Sequence, residues 1–351
     1  MSAHRRSGWT KAFAVVVPLL LVATACGSSS GKSSSKGTSS STENSAAKKQ
    51  VRVGMALAGP KNDKGFNQAH YEGLLLAEKE LGIKASYQEN IADPAARIDA
   101  VRNLAQGNDL VIGVGAEFAE AGRTVAPQFP KVEFQIINGQ TDKASPNLHV
   151  YGVRQGVPAY IAGVLAASGE IPNLKVNKVG YIGGEEIPPT TQSDDGFKAG
   201  VAATDPKIQY VSTIVGNFND APKAKQAAAA QLTAGANVIF ALIDAGFPGI
   251  VQAVEEAGNK AHLFAVIYPR CDASPNLVGT AILNSSVLVD RMIKDYINKT
   301  IPAQPHFFGV EDTNIQRLEL CPKFKTDKLQ QLVDKTTAGI VDGSIALPKG
   351  V

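Results

Sequence analysis

The sequence predicts an α/β protein built from two doubly wound, Rossmann-like lobes. From Val51 onward, short apolar segments typical of buried parallel strands alternate with helical stretches, the pattern of sheets covered by helices on both faces. Two parts of the chain also share the same order of motifs, which indicates a duplicated unit. The chain has 351 residues, of which 44% are hydrophobic and 19% charged, so it is long enough for two ordinary globular domains.

Residues 1–25 are typical of a signal peptide, because three basic residues precede an apolar run that ends in small residues. The apolar run, of about ten residues, is too short to span a bilayer. It ends in Val-Ala-Thr-Ala before Cys26, which resembles a lipobox, although Ala23 stands where leucine is usual. We therefore expect Cys26 to be lipidated and to anchor the protein in the membrane. The alternative is a secreted protein with an unmodified cysteine.

Residues 26–50 predict a flexible tether that follows the lipidated cysteine. The segment is rich in serine, glycine, threonine and lysine, so it cannot bury enough apolar surface to offset its chain entropy. The expected location is the extracytoplasmic face of the cell membrane. The formal net charge of +3 equals the three basic residues of the signal peptide, and the near-neutral remainder argues against binding to nucleic acid.

The elements follow from hydrophobic periodicity and from capping residues. Val51 to Leu57 predicts a strand, and the next helix has Tyr71, Leu74 and Leu81 on one face. Asp93-Pro94 predicts a helix start, with the cap first and proline at the first helical position. Further expected strands are 110–114, 132–137, 178–182, 208–214, 238–243, 263–267 and 280–283.

Two matches at a near-constant separation carry the expected duplication. Val53-Gly54, a loop, Gly65-Phe66 and a helix recur as Val179-Gly180, a loop, Gly196-Phe197 and a helix. The segment from Leu104 to Ile112 likewise recurs from Leu232 to Phe240. Two such lobes would place the loops at their strand ends in one cleft, an arrangement typical of proteins that close over a ligand.

A series of motifs in the predicted lobes resembles the basic membrane protein family of bacterial lipoproteins. The family consists of substrate-binding components of ABC importers, and several members are purine nucleoside receptors. The resemblance covers roughly residues 51–298. The motifs that carry it are Asn62–Gln68, Ala159–Gly163, Gly180–Gly184, Asp195–Gly200, Asn217–Lys225 and Gly235–Phe240.

The resemblance implies a type I periplasmic-binding fold in which the chain crosses three times between lobes. We expect an N-terminal lobe of residues 51–153 plus 276–305 and a C-terminal lobe of residues 154–275 plus 306–351. It also implies a small-molecule ligand, most simply a purine nucleoside, and an ABC transporter permease as partner. We expect a monomer that needs no cofactor.

The family site implied by the resemblance stacks an aromatic side chain on the base and holds base edge and ribose with acids and amides. Phe66 and Asn67 match the family's Phe-Asn pair, and Phe218 matches its second aromatic. Asp244 lies where a second-lobe loop would meet the cleft. Asp272 lies near the position of the family's acid for ribose hydroxyls.

From the residues alone, each of three positions after the first strand has two possible roles. Phe66 is either a stacking platform or a hydrophobic staple onto the following helix. Asn67 has a donor and an acceptor for a purine edge, or it caps that helix. Asp63 binds ligand hydroxyls or caps the same helix.

The candidates at other strand ends are also open to a second interpretation. Asp244, Arg270 and Asp272 all follow second-lobe strands, where carboxylates suit sugar hydroxyls and an Asp–Arg ion pair is the alternative. Arg270 would either substitute for a lysine that the family often has after the strand ending at Leu283 or select an anionic group of the ligand. Glu117 and Asn138 end first-lobe strands and complete the set of candidates.

Two departures from the family pattern concern the ligand. The family often has an acid at the end of the first strand, where this chain has Leu57-Ala58-Gly59, and Asn284-Ser285 replaces the usual lysine. Alternatives to a nucleoside receptor are therefore a sugar or flavin receptor of the same fold, or an exported nucleoside hydrolase or signalling module.

Catalysis is not expected, because no nucleophile elbow, no His-Glu-x-x-His motif and no metal-like cysteine or histidine cluster occurs in the sequence. Only two cysteines follow the tether, Cys271 and Cys321. In an exported protein they predict one disulfide, which would add roughly 4 kcal/mol by closing a loop of about 50 residues. The alternative is two separate buried thiols.

Overall fold

The computed structural model describes residues 49–91, 93–139 and 145–351. The expected signal peptide, the lipidation site at Cys26 and most of the tether lie outside the described residues. Within them, no helix is long and apolar enough to cross a bilayer.

Strands and helices alternate along most of the described chain. The strands are β1 (Arg52–Leu57), β2 (Lys84–Gln88), β3 (Leu110–Val114), β4 (Glu133–Ile137), β5 (Leu148–Val153), β6 (Lys178–Gly183), β7 (Gln209–Ile214), β8 (Val238–Leu242), β9 (His262–Ile267), β10 (Leu277–Leu283), β11 (His306–Phe308) and β12 (Gln316–Leu320). The α-helices are α1 (Phe66–Leu81), α2 (Pro94–Gly107), α3 (Ala119–Val125), α4 (Gly156–Ala167), α5 (Pro188–Thr204), α6 (Ala221–Thr233), α7 (Phe247–Glu256), α8 (Ser285–Asn298) and α9 (Asp327–Val341).

The described strands form two sheets with equivalent strand order. The first runs β11-β5-β4-β3-β1-β2 and the second β12-β10-β9-β8-β6-β7. Neighbouring strands are parallel throughout, except that β12 is antiparallel to β10. The predicted fold class of two doubly wound α/β lobes is therefore confirmed, and each strand of one sheet has a counterpart in the other.

The expected helix start at Asp93 is also present, since its side chain accepts hydrogen bonds from the backbone N–H groups of Ala95 and Ala96 at 2.9 and 3.1 Å. Close packing between α4 and α5 accounts for two of the motifs, Ala159–Gly163 and Asp195–Gly200. A Cβ built at Gly163 of α4 would lie 2.2 Å from the carbonyl oxygen of Phe197, so glycine is required where α4 packs against α5.

Two of the three crossings between the sheets of the described chain lie at different points from those expected. β10 was expected in the N-terminal lobe (276–305) but pairs with β9, and β11 was expected in the C-terminal lobe (306–351) but pairs with β5. The first crossing follows β5, at the expected boundary, and the other two follow β10 and β11. The sequence pattern does not locate these two crossings, because β10 is buried throughout and β11 is only three residues long.

The predicted disulfide between Cys271 and Cys321 is present. It joins the loop that follows β9 to the end of β12. The Cys321 amide also donates to the Val278 carbonyl of β10 at 2.9 Å, so one end of the bridge is fixed to the second sheet.

Candidate functional site

A cavity of about 450 Å³ lies between the carboxyl ends of the two sheets. Its walls come from the loops after β1, β3, β4 and β5 of the first sheet and after β6, β7 and β8 of the second, together with the first turns of α1, α2 and α5. Open parallel sheets bind ligands at this edge, where the loops on either side of the reversal in strand order diverge. A solute in this cavity would contact both lobes at once.

Most of the residues selected from the sequence line the cavity. Those that line it are Phe66, Asn67, Glu117, Asn138, Phe218 and Asp244. Three selected residues, Asp63, Arg270 and Asp272, do not line it.

Phe66 is the first residue of α1, and its ring is backed by a histidine. The centroids of the Phe66 and His70 rings are 4.3 Å apart, and the rings are tilted by 58°. His70 is fully buried, and its Nδ1 donates to the Phe66 carbonyl oxygen at 2.7 Å. Burial lowers the pKa of His70 to about 4, so the ring is neutral at physiological pH. Phe66 therefore presents an aromatic surface to the cavity from a fixed position.

Phe218 comes from the loop after β7 of the second sheet, and its ring packs against backbone. A Cβ built at Gly184 would lie 2.1 Å from Phe218 Cδ1, so a side chain at position 184 would displace the ring. The two aromatic residues of the cavity thus come from opposite lobes. This is the arrangement that a planar ligand needs if each lobe is to contribute stacking energy.

Asp63 caps α1 and does not contact the cavity. The carboxylate is buried and accepts hydrogen bonds from the backbone N–H groups of Gly65, Asn67 and Gln68 at 2.8, 3.1 and 3.0 Å. It also accepts from Asn67 Nδ2 at 2.8 Å, while Asn67 Oδ1 accepts from the Gly59 N–H at 3.2 Å. Of the two interpretations of Asp63, the geometry favours the cap. Asn67 keeps one amide hydrogen and one lone pair for a solute.

Asp244 lines the cavity and joins the two lobes. Its Oδ1 accepts a hydrogen bond from the Phe66 N–H at 3.2 Å, and only 9% of the residue is exposed. A Cβ at Gly65 would lie 2.3 Å from Asp244 Oδ1, so glycine permits this close approach of α1. Burial, reinforced by repulsion from Asp63, raises the pKa of Asp244 to about 7 despite the nearby Arg270.

Glu117 is a second acidic residue that lines the cavity, and its side chain is half-buried. Gly115 has a φ of 112°, and a Cβ there would lie 2.3 Å from Glu117 Oε2, so only glycine suits this turn. Burial raises the pKa of Glu117, while the guanidinium of Arg97 acts in the opposite direction. The protein can therefore offer a solute both carboxylate acceptors and guanidinium donors.

Asn138 directly follows β4 and has a left-handed conformation with a φ of 57°. Its Oδ1 accepts a hydrogen bond from the Val153 N–H of β5 at 3.1 Å. The oxygen is thus used within the first lobe, and Nδ2 is the group left for a solute.

Several cavity residues were not selected from the sequence. Arg97 comes from the first turn of α2 and not from a strand end, so the strand-end rule missed it. A signal existed, because a cation near a helix N-terminus is electrostatically unfavourable and needs another reason to be there. The other polar residues missed were Gln155, Glu185, Asn217 and Asn219.

Arg270 and Asp272 were expected at the ligand but lie elsewhere. Arg270 Nη2 donates to the Lys64 carbonyl oxygen at 2.7 Å, and its guanidinium carbon is 4.8 Å from the centroid of the Phe247 ring. Asp272 is exposed in the turn that contains Cys271. The backbone turns away from the cavity after β9, which places both side chains outside it.

Two equivalent sheets that enclose a cavity at their strand ends define a two-lobed solute-binding protein of the type I periplasmic fold. A solved structure of an ABC transporter solute-binding protein from Aeropyrum pernix superimposes with a TM-score of 0.75 at 21% identity, covering 85% of this chain and 94% of that chain. This likeness supports the fold class.

A family model described as "ABC transporter substrate-binding protein PnrA-like" matches residues 50–348. The chain therefore belongs to the Bmp family of ABC transporter substrate-binding proteins. The nucleoside-binding protein BmpA of Lactococcus lactis is 27% identical over 309 residues, covering 82% of this chain and 86% of BmpA. A purine-binding protein of Brucella abortus is 24% identical over 304 residues, covering 85% of this chain and 83% of the relative. Binding of a substrate for transport, without catalysis, is typical of the family.

Proposed function

We propose that this protein captures a purine nucleoside outside the cytoplasm and delivers it to an ABC importer. The observation that carries the proposal is the pair Phe66 and Phe218, which line one cavity from opposite lobes beside Asn67, Glu117 and Asp244. Aromatic rings suit the two faces of a base, an amide suits its edge, and carboxylates accept hydrogen bonds from ribose hydroxyls. The names of BmpA and of the Brucella relative agree with this assignment.

The size of the cavity and the strength of the available contacts support the proposal. A volume of about 450 Å³ falls within the usual range of small-molecule sites. Micromolar binding needs about 8 kcal/mol. Stacking contributes about 1–3 kcal/mol per base, and several hydrogen bonds would supply the remainder.

The setting of the binding domain forms part of the same proposal. Residues 1–25 direct export, Cys26 carries the lipid anchor, and the segment up to residue 50 tethers a monomeric binding domain to the extracytoplasmic face of the membrane. The partner is an ABC permease, to which the two lobes deliver the solute. Mass measurement of the mature protein extracted from the membranes of expressing cells tests the acylation of Cys26, which should add the mass of its acyl chains. An exported form with a free thiol at position 26 would contradict the anchor.

Calorimetric titration of the exported domain with adenosine, guanosine and inosine tests the ligand class. At least one should bind with micromolar or lower Kd, while ribose and riboflavin should bind much more weakly. Binding of ribose or riboflavin in preference to all three nucleosides would replace this proposal with the sugar or flavin alternative. Release of free base from a bound nucleoside on long incubation would indicate a hydrolase.

Replacement of Phe66 by alanine should weaken nucleoside binding about tenfold to a hundredfold, because one stacking surface is lost. The ring is only half-buried, so the unfolding temperature should change little. Phe307→Ala is the matched control, since Phe307 is 40% exposed on β11 and does not line the cavity. Equal affinities of wild type and Phe66→Ala, measured by the same titration, would refute the stacking role.

Replacement of Gly184 by alanine should weaken binding about tenfold without removing any ligand-contacting group. The new Cβ would overlap the Phe218 ring and force it into the cavity. Gly107→Ala is the control, because a Cβ at Gly107 meets nothing within 4 Å. If Gly184→Ala binds as tightly as Gly107→Ala in parallel titrations, Phe218 does not form a wall of the ligand site.

A further inference from the structure

The loop that leaves β9 begins with a strained turn. Ile267 has a φ of 73°, and the Tyr268 N–H donates to the Val266 carbonyl oxygen at 3.0 Å, which closes a γ-turn around Ile267. A β-branched residue rarely adopts a positive φ, because its side chain clashes with the backbone there. Such strain persists where the surrounding structure holds it, and it is concentrated at functional segments.

This turn directs two side chains of the second lobe to the first lobe. The Tyr268 hydroxyl donates to Glu72 Oε2 on α1 at 3.2 Å, and Arg270 Nη2 donates to the Lys64 carbonyl oxygen at 2.7 Å. None of these four residues lines the cavity between the two sheets. Both hydrogen bonds join the lobes beside the site without occupying it.

The orientation of the Lys64 carbonyl group is set by contacts within the first lobe. Lys64 has a left-handed backbone with a φ of 54°, and its N–H donates to Gln68 Oε1 at 3.0 Å. Asp63 holds the following turn through its backbone hydrogen bonds. The Lys64 carbonyl group therefore keeps its direction without help from the second lobe.

The donor side is fixed as well. The Arg270 guanidinium packs over the Phe247 ring of α7, with its central carbon 4.8 Å from the ring centroid. The next residue, Cys271, is joined by the disulfide to Cys321 at the end of β12. The loop is therefore held at the strained turn on one side of Tyr268 and Arg270 and at the disulfide on the other.

We infer that Tyr268 and Arg270 form an interlobe latch that slows release of the bound solute. Opening of the cleft separates the second lobe from α1, so it must break both hydrogen bonds as well as the contacts made by the solute. A contact present only in the closed form stabilises that form and raises affinity through the release rate. Tyr268 and Arg270 are thus positioning residues, and the nucleoside specificity belongs to the cavity residues. This inference rests on the proposed capture of a solute between the lobes.

Release kinetics test the latch in the intact exported domain. Tyr268→Phe, Arg270→Gln and Glu72→Ala should each speed dissociation of the tightest-binding nucleoside about fivefold to tenfold, with the association rate within about twofold of wild type. Glu72→Gln should release the nucleoside almost as slowly as wild type, because an amide oxygen still accepts a hydrogen bond from the Tyr268 hydroxyl. The matched control is Tyr210→Phe, which removes a tyrosine–carboxylate hydrogen bond to Asp194 inside the second lobe.

A double-mutant cycle separates the latch from a general loss of structure. Tyr268→Phe combined with Glu72→Ala should release solute no faster than either variant alone, because both remove the same hydrogen bond. Additive rates, or an equal acceleration in Tyr210→Phe, would show that the effect does not come from this contact and would overturn the latch.

A measurement without solute keeps the latch distinct from the proposed ligand. Small-angle X-ray scattering of the solute-free protein should give a larger radius of gyration for Arg270→Gln and Tyr268→Phe than for wild type and Tyr210→Phe. If no nucleoside binds, the proposal of a nucleoside ligand is wrong, but the comparison of radii of gyration still tests whether the latch exists. Identical radii in all four proteins, or unchanged release rates in the latch variants, would overturn the inference.

Discussion

An Asp244→Asn variant should resist unfolding better than wild type at pH 8 while binding solute less well. The carboxyl group is buried, and desolvation together with repulsion from Asp63 raises its pKa from 3.8 to about 7. A shift of this size corresponds to roughly 4 kcal/mol of unfavourable free energy when the group is ionised. The neutral amide avoids this cost, and its oxygen can still accept the hydrogen bond from the Phe66 N–H.

The sign of the pH dependence follows from the raised pKa. Between pH 3.8 and about 7 the folded protein holds the Asp244 proton while the unfolded chain has released it. The contribution of Asp244 to the free energy of unfolding is therefore largest below pH 3.8. It falls as the pH rises from 3.8 to about 7 and stays low above pH 7. The difference between Asp244→Asn and wild type should grow from pH 4 to pH 7 and then level off.

Chemical denaturation of both proteins at several pH values measures this difference. Asp272→Asn is the matched control, because Asp272 is exposed in a turn of the same lobe and its replacement should leave the stability profile unchanged. A constant difference between Asp244→Asn and wild type from pH 4 to pH 8 would contradict the buried, proton-holding carboxyl group. Calorimetry at pH 8, where Asp244 is ionised, should show weaker nucleoside binding by Asp244→Asn, because an amide accepts ribose hydroxyls less strongly than a carboxylate does.

The site residues that could be predicted from the sequence are those that a general rule of parallel sheets selects. Glu117, Asn138 and Asp244 follow strands, and the carboxyl ends of parallel strands meet at one edge, so the pattern alone placed them near the cavity. Phe66 and Phe218 needed the family resemblance, because an aromatic residue in a loop is otherwise as easily a staple as a platform.

The residues that were misplaced depend on backbone geometry that the sequence pattern does not express. Arg270 follows a strand, as Asp244 does, but the γ-turn at Ile267 carries it away from the cavity and across to Lys64. A positive φ at isoleucine has no sequence signature, since the residue type argues against it. Arg97 was missed for the opposite reason, because it reaches the cavity from a helix.

The fold could be predicted from the sequence where its strands and helices are long and show a clear hydrophobic period. β12 was missed because it is antiparallel and its even-numbered positions are buried while Arg317 and Glu319 are not, which gives a weaker apolar signal than a strand buried on both faces. β11 is too short for any period to be read. β11 directly precedes the third crossing between the lobes, so that lobe boundary could not be predicted from the sequence pattern.

Loss of the disulfide should be the other large effect. Replacing Cys271 and Cys321 together by serine should lower the free energy of unfolding by roughly 4 kcal/mol, because the bridge restricts the unfolded chain over a sequence separation of 50 residues. Wild-type protein treated with dithiothreitol, compared with untreated protein in urea, provides the same comparison without substitution. Coincident urea transitions for the oxidised protein and the double-serine variant would contradict a stabilising bridge.

The same variant separates the two roles of the bridge in the folded protein. If the disulfide only restricts the unfolded chain, solute release from the folded variant should be unchanged. If it also holds the loop that carries Arg270, release should become faster, but by less than in Arg270→Gln, because the Phe247 ring still supports the guanidinium. We expect the second result, since Cys271 directly follows the residue whose guanidinium joins the lobes.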